Sequence, residues 1–168
     1  RYRLDEKLGE GGMGVVWSAS HVVTHKQVAL KILKVRSDEN VWRFFREARI
    51  AAKIRSPHLV GVLDVDQDGG LFFIIMEFVP GGSVRGYVEK LKKQGRTGMD
   101  ELVALDICIA AAKGLAEAHA HGVVHRDIKP DNILLPAGQN DTPLFSEAKL
   151  ADLGLARGEG QDSQEEGR

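Results

Sequence analysis

The stretch His125-Arg126-Asp127-Ile128-Lys129-Pro130-Asp131-Asn132 gathers a histidine, two bases, two carboxylates and an amide within one short loop. Each residue type suits a step in moving a charged group. Asp127 could accept a proton from a hydroxyl nucleophile. Lys129 could neutralise charge on a transferring phosphoryl group. Asn132 offers a hard oxygen of the kind magnesium takes. Asp152, in Leu150-Ala151-Asp152-Leu153-Gly154, offers a second such oxygen. The same residues also read as a charged surface turn, with Asp127 and Asp131 paired to nearby Lys and Arg side chains.

Upstream of this loop the pattern is helical. Residues 100–120 carry apolar side chains at Leu102, Leu105, Ile109, Ala112 and Ala116, with Asp106, Lys113 and Glu117 as the opposite stripe, and Gly122 ends the run as a helix-stopping glycine would. Ser83 can cap a shorter helix reaching Leu91. Downstream, two short apolar strands, 133–135 and 148–150, bracket a polar loop. Residues 158–168 hold no apolar side chain and read as disordered.

The first part of the chain is different. Residues 2–8, 15–20 and 27–33 read as strands. A helix follows, capped by Ser37 or Asp38, with Val41, Phe44, Phe45, Ala48 and Ala52 on one face and Ser56-Pro57 as its stop. Strands over 59–65 and 71–79, joined by a hairpin loop at 66–70, complete five strands and one helix. Pro80-Gly81-Gly82 breaks the β pattern and marks the boundary between the two parts.

Two further elements carry candidate chemistry. Gly9-Glu10-Gly11-Gly12-Met13-Gly14 fits G-x-G-x-x-G, but a strand rather than a helix follows it. That arrangement suits a flap whose backbone approaches phosphates closely, and equally a plain hairpin turn. Lys31 lies in the apolar strand Val28-Ala29-Leu30-Lys31, either as an exposed strand lysine or as an ammonium drawn to phosphates. Glu47, at the edge of the helix's apolar face, is a candidate partner for Lys31. It could equally pair with Arg43 four positions earlier.

Composition limits the alternatives. The chain has 168 residues, 43% hydrophobic and 28% charged, so it can bury a core and is not broadly disordered. A net charge of -1 argues against an electrostatic nucleic-acid binder. The single cysteine, Cys108, excludes an internal disulfide framework and a cysteine-rich zinc site, and points to a reducing compartment. The most apolar long stretch, 102–120, is interrupted by Asp106, Lys113 and Glu117 and is a poor membrane span. No signal peptide is legible at the start, and the absence of an initiator Met suggests a segment of a longer chain.

Taken in order, the glycine loop with Val16, the Val28-Ala29-Leu30-Lys31 strand, His125-Arg126-Asp127 and Asp152-Leu153-Gly154 resemble the eukaryotic-type serine/threonine protein kinases. The resemblance runs from residue 2 to about 157. Lys129 resembles the serine/threonine branch, and Gly-Glu-Gly-Gly-Met-Gly with Lys-Pro-Asp-Asn looks like bacterial members. It implies an α+β, protein-kinase-like fold: a five-stranded antiparallel N-lobe with one helix over 1–79 and an incomplete, mainly helical C-lobe over 80–157. Residues 158–168 would begin the activation segment.

The resemblance also implies ATP and Mg²⁺ as cofactors and a protein Ser/Thr hydroxyl as acceptor, with a cytoplasmic location and no nucleic-acid partner. Lys31 would hold the α- and β-phosphates and pair with Glu47, under a flap made by Gly9, Gly11 and Gly14. Met76 would back the adenine pocket, while the Glu77 C=O and Val79 N–H bond the adenine edge. Val16, Ala29 and Leu134 would sandwich the ring. Asp127 would orient and deprotonate the acceptor hydroxyl, Lys129 would assist, and Asn132 with Asp152 would hold the metal. Leu153 stands where the family often has Phe. The stretch 136–147 is longer than usual and is expected to lengthen a surface loop and leave the ligands in order. Because the sequence ends soon after Arg157, residues 1–168 alone are expected to be a poor kinase of marginal stability. The alternative is a kinase-like nucleotide- or partner-binding module without catalysis.

Overall fold

The computed structural model describes residues 1–12, 14–34 and 38–153, except for the side chains of 38–40, 43 and 47. Five strands form one antiparallel sheet: β1 (Tyr2–Glu10), β2 (Gly14–His21), β3 (Gln27–Leu33), β4 (Val62–Asp68) and β5 (Leu71–Glu77), in the order β1-β2-β3-β5-β4. Helix α1 (Asp38–Ala51) connects β3 to β4. This is the expected α+β, protein-kinase-like arrangement of five strands and one helix.

Strand boundaries shift from the sequence expectation, for a local reason. The hairpin between β4 and β5 is not a loop over 66–70. Asp66, Gln67 and Asp68 stay in the ladder, opposite Phe73, Phe72 and Leu71. Only Gly69 and Gly70 turn the chain, with φ of 55° and 76°, values open to glycine without steric cost. Conversely 59–61 lie outside β4. Helix α1 also ends before Ser56-Pro57: it stops at Ala51, which is buried, while Ala52 is exposed. The expected cap at Ser37 lies outside the described residues.

Packing follows strand alternation. On one face of the sheet Ala29, Leu33, Ile74 and Met76 bury against Phe44 and Ala48 of α1. Val41, Phe45 and Phe72 complete that layer, with the Phe45 and Phe72 rings edge to face at 5.4 Å. On the other face Val28 and Leu30 bury with Ala19 and Ile75. Lys31 shares the face of Ala29 and Leu33, so the strand period directs it under the sheet toward the rest of the chain.

The second part holds α2 (Val84–Lys93), α3 (Glu101–Ala120), β6 (Ile133–Leu134) and β7 (Lys149–Leu150). Ser83 caps α2 by accepting a bond from the Gly86 N–H at 3.2 Å, and Asp100 caps α3 by accepting from the Leu102 N–H at 2.9 Å. Gly122 follows α3 with a φ of 72°.

The apolar stripe of α3 expected to be in need of partners is the exposed one. Leu102, Leu105 and Ile109 are 73%, 55% and 44% exposed among the described residues, and Ala112 and Ala116 are exposed as well. The buried stripe is Ile107, Ala110, Ala111, Gly114 and Ala118. The helix is apolar nearly all round, so periodicity admits two stripes. The one with small residues packs among the described residues because it lets the backbone of 58–59 and the β6–β7 ribbon approach closely.

The long loop after β6 folds back on the rest of the chain at its C-terminal end. Its Leu144 N–H bonds back to the Pro136 O at 2.8 Å, and Phe145 turns inward onto Tyr87 of α2, with centroids 5.1 Å apart.

Candidate active site

Three elements meet between the sheet and α3: β3 with Lys31, the loop 125–132, and the segment leaving β7 with Asp152. The ribbon formed by β6 and β7 fixes the last two against each other, pairing Ile133 with Leu150 and Leu134 with Lys149. Beyond the ladder, the Ala151 N–H donates to the Asn132 O at 2.8 Å. Asp152 therefore emerges beside Asn132.

His125 locks the same junction from below. It is 1% exposed, and its Nε2 lies 2.8 Å from the Ala151 O. Its Nδ1 receives the Asp127 N–H at 3.3 Å. A ring nitrogen that accepts carries no proton, so this pattern assigns the proton to Nε2, which donates to the carbonyl. One imidazole thus ties Asp127 to the residue before Asp152. Two non-glycine residues beside it, Arg126 and Asp152, take positive φ of 63° and 59°. Such conformations are disfavoured for side chains with a Cβ and persist where surrounding bonds over-determine them.

The Asp127 carboxylate is held on two sides. Its Oδ2 accepts from Lys129 Nζ at 2.8 Å and from Asn132 Nδ2 at 2.9 Å. Asn132 Nδ2 also donates to the Asp127 carbonyl at 2.8 Å. Both partners of the amide are acceptors, so its nitrogen must face them, leaving Oδ1 as the atom available to a cation. The Lys129 hydrogen bond, and after it the Asn132 bond, hold the Asp127 carboxyl below its ordinary range, and Asp127 in turn raises Lys129. The carboxylate is ionised at neutral pH and able to take a proton. The charged-turn reading is partly met too, since Asp131 pairs with Arg85 of α2 at 3.4 Å.

Lys31 is 6% exposed, which rules out the exposed strand lysine. Its Nζ reaches Asp152 Oδ1 at 2.7 Å. The expected partner Glu47 sits on α1, but its side chain, like that of Arg43, lies outside the described residues. Asp152 Oδ2 and Asn132 Oδ1 are hard oxygens of the type magnesium accepts, and the donor set fits that cation better than a softer metal.

The glycine loop joins β1 to β2, with Gly9 opposite Val16 and Gly14 opposite Leu33. Gly11 and Gly14 exchange backbone bonds, at 2.9 and 3.3 Å. Met13 lies outside the described residues. The three glycines differ in cause. A Cβ on Gly14 would meet the Ile32 O at 2.3 Å, so the sheet itself demands glycine there. A Cβ on Gly9 or Gly11 would meet nothing within 4 Å. Glu10 in the loop pairs with Lys7 and Lys34, which lower its pKa to about 2, with Lys34 the stronger cause.

Along the path from sheet to helices, Met76 and Ala29 face each other in the β3–β5 ladder, and both are buried. Val79 is buried, while Val16 and Leu134 are half-buried. Leu134 bridges Ser83, at the start of α2. Sequence reasoning assigned no role to the His125 ring, the Ala151 backbone or Lys149. The backbone roles had no signal in residue type.

Comparison with known proteins places the chain in a family. The family model described as the protein kinase domain matches residues 2–166. A probable serine/threonine-protein kinase of Clostridium acetobutylicum is 35% identical over 94% of this chain and 22% of its own length. The serine/threonine-protein kinases PknA of Corynebacterium glutamicum and PknD of Mycobacterium tuberculosis are each 39% identical over 93% of the chain, and over 32% and 22% of their own lengths. The chain therefore spans no more than about a third of these relatives. From the match over nearly its whole length, and from the order of its site elements, the chain belongs to the protein kinase domain family.

Proposed function

We propose that this chain is the nucleotide-binding and catalytic part of a serine/threonine protein kinase, which moves the γ-phosphate of ATP to a Ser or Thr hydroxyl of a protein. The carrying observation is the junction at Asn132. Its side chain holds Asp127, its backbone holds the residue before Asp152, and Asp152 meets Lys31 from the sheet. A proton acceptor, two hard oxygens and a buried ammonium thereby converge.

In this reading residues 1–79 and 80–157 act as two lobes around the nucleotide. The Glu77 C=O and Val79 N–H bond the adenine edge, and Val16, Ala29 and Leu134 enclose the ring in front of Met76. Lys31, placed by strand alternation, holds the α- and β-phosphates, with Glu47 as its second partner. Gly9 and Gly11 lack any steric demand from the chain itself, which supports a flap over phosphates, with Gly14 anchoring it. Asn132 Oδ1 and Asp152 hold Mg²⁺, which when bound neutralises the phosphate oxygens. Asp127 orients the acceptor hydroxyl and takes its proton. Lys129 keeps that carboxylate ionised and stands beside the group being transferred. The order of events is in-line transfer by positioning rather than covalent chemistry.

Among the described residues no helix is long and apolar enough to cross a membrane. A cytoplasmic site of action, where ATP is abundant, and a protein rather than nucleic-acid substrate belong to the same proposal.

The experiment is calorimetric titration of the full-length natural protein with ATP, with and without Mg²⁺, together with transfer of labelled phosphate to a generic basic protein. Mg²⁺-dependent binding and transfer to Ser or Thr are expected. Binding without transfer would make the chain a non-catalytic module, and no Mg²⁺-dependent binding would overturn the assignment.

A further inference from the structure

We propose that Glu77 and Lys149 form a positioning pair that sets the span between the adenine end and the metal end of the nucleotide site. The inference rests on the nucleotide-site reading above. Lys149 Nζ lies 2.8 Å from Glu77 Oε1 and 3.1 Å from Oε2, a two-oxygen contact between residues 72 positions apart. The Lys149 side chain is only 17% exposed and that of Glu77 37%, so solvent screens the pair incompletely. Glu77 is itself held from a third side. Its Oε2 accepts the Gly61 N–H at 3.2 Å, and its own N–H donates to the Gly61 O at 2.8 Å.

The location gives the pair its role. Glu77 closes β5, and its backbone carbonyl is the proposed adenine contact. Strand alternation turns its side chain to the face opposite Met76. Lys149 opens β7, three residues before Asp152. The backbone of Leu150 is bonded on both sides of the same contact, its N–H to the His58 O at 2.9 Å and its O to the Val60 N–H at 2.8 Å. One ion pair thus joins the residue that would hold the base to the strand that would carry the metal ligand.

The other ion pair across this junction, Lys31 with Asp152, uses the two groups that phosphates and cation would claim. Nucleotide binding competes with that contact. It does not compete with Glu77–Lys149, which lies behind the adenine edge. The pair therefore persists in the loaded site and holds the two ends at one separation. Without it, other separations become populated, and apparent affinity falls in proportion to the lost competent fraction. A ligand that touches only the adenine end escapes that loss.

The test compares adenosine with Mg²⁺-ATP in the full-length natural protein by calorimetry. Lys149→Met keeps the apolar stem and removes the charge. Its Mg²⁺-ATP affinity should fall about five- to tenfold more than its adenosine affinity. Glu77→Gln should do the same, and Lys149→Arg should restore the ratio. A merely structural contact would weaken both ligands equally. If circular dichroism shows Lys149→Met unfolded, Glu77→Gln decides. An unchanged ratio in a folded variant, with normal binding by the parent, overturns the positioning pair alone. A parent that binds no Mg²⁺-ATP overturns the nucleotide reading, and the pair with it.

Discussion

Two helical glycines should respond in opposite directions to the same substitution. In α3, a Cβ on Gly114 would stand 2.5 Å from the His58 carbonyl oxygen and 3.1 Å from Leu59 Cδ2. Relief requires the helix and the 58–59 backbone to separate by most of an ångström. The His58 oxygen is also the acceptor for the Leu150 N–H, so the separation strains a bond that fixes β7. Overpacking of this kind costs about 1–3 kcal/mol, and a weakened backbone bond costs about 0.5–1.5 kcal/mol more. Alanine's better helix propensity returns about 1 kcal/mol. The net loss for Gly114→Ala is about 2 kcal/mol.

In α2, a Cβ on Gly86 would meet only Ser83 Oγ, at an ordinary 3.7 Å. Gly86→Ala should therefore keep the propensity gain and stabilise by about 0.5–1 kcal/mol. The assay is scanning calorimetry of the full-length natural protein, following the transition that Mg²⁺-ATP raises. At about 2–4 °C per kcal/mol, Gly114→Ala should lower that transition by about 4–8 °C and Gly86→Ala should raise it by about 1–4 °C. If Gly114→Ala is as stable as the parent, the close approach of α3 to His58 does not constrain the fold and the reasoning fails.

Asp127→Ala should cut phosphate transfer by about 10²–10⁴-fold while the thermal transition stays in place, as a labelled-phosphate assay beside calorimetry would show. Lys31→Met should weaken Mg²⁺-ATP binding far more than adenosine binding, because the ammonium faces the phosphate end; equal effects on both would remove Lys31 from that role. The Lys129 hydrogen bond holds the Asp127 carboxyl below its ordinary value, so its acid limb in kcat/KM should lie below the usual carboxylate range. Any stability it contributes is present above its unfolded value and is lost as pH falls through the folded one. Lys129→Met removes the main cause of the depression, so the acid limb should move to higher pH in a pH–rate profile.

What could be read from residue order alone was local. Alternating apolar strands, the glycine loop, the Ser83 cap and the charged stretch 125–132 are set by spacings of a few residues, and they placed the strands and helices close to where they lie. The family likeness rested on the same local spacings. Contacts between distant segments were not legible, because they depend on what each element packs against. The two apolar stripes of α3 are equally good by period, and only the close approach of residues 58–59 and the β6–β7 ribbon selected the one made of Ala110, Ala111 and Gly114. Gly86 and Gly114 are alike in sequence terms and differ only in what stands beside them. The ties of His125 to Ala151, of Asn132 to Ala151 and of Glu77 to Lys149 are partnerships between backbone or charged groups many residues apart. Folding brings those groups within a few ångströms, and only at that range can hydrogen bonds and charge decide which of them hold the site.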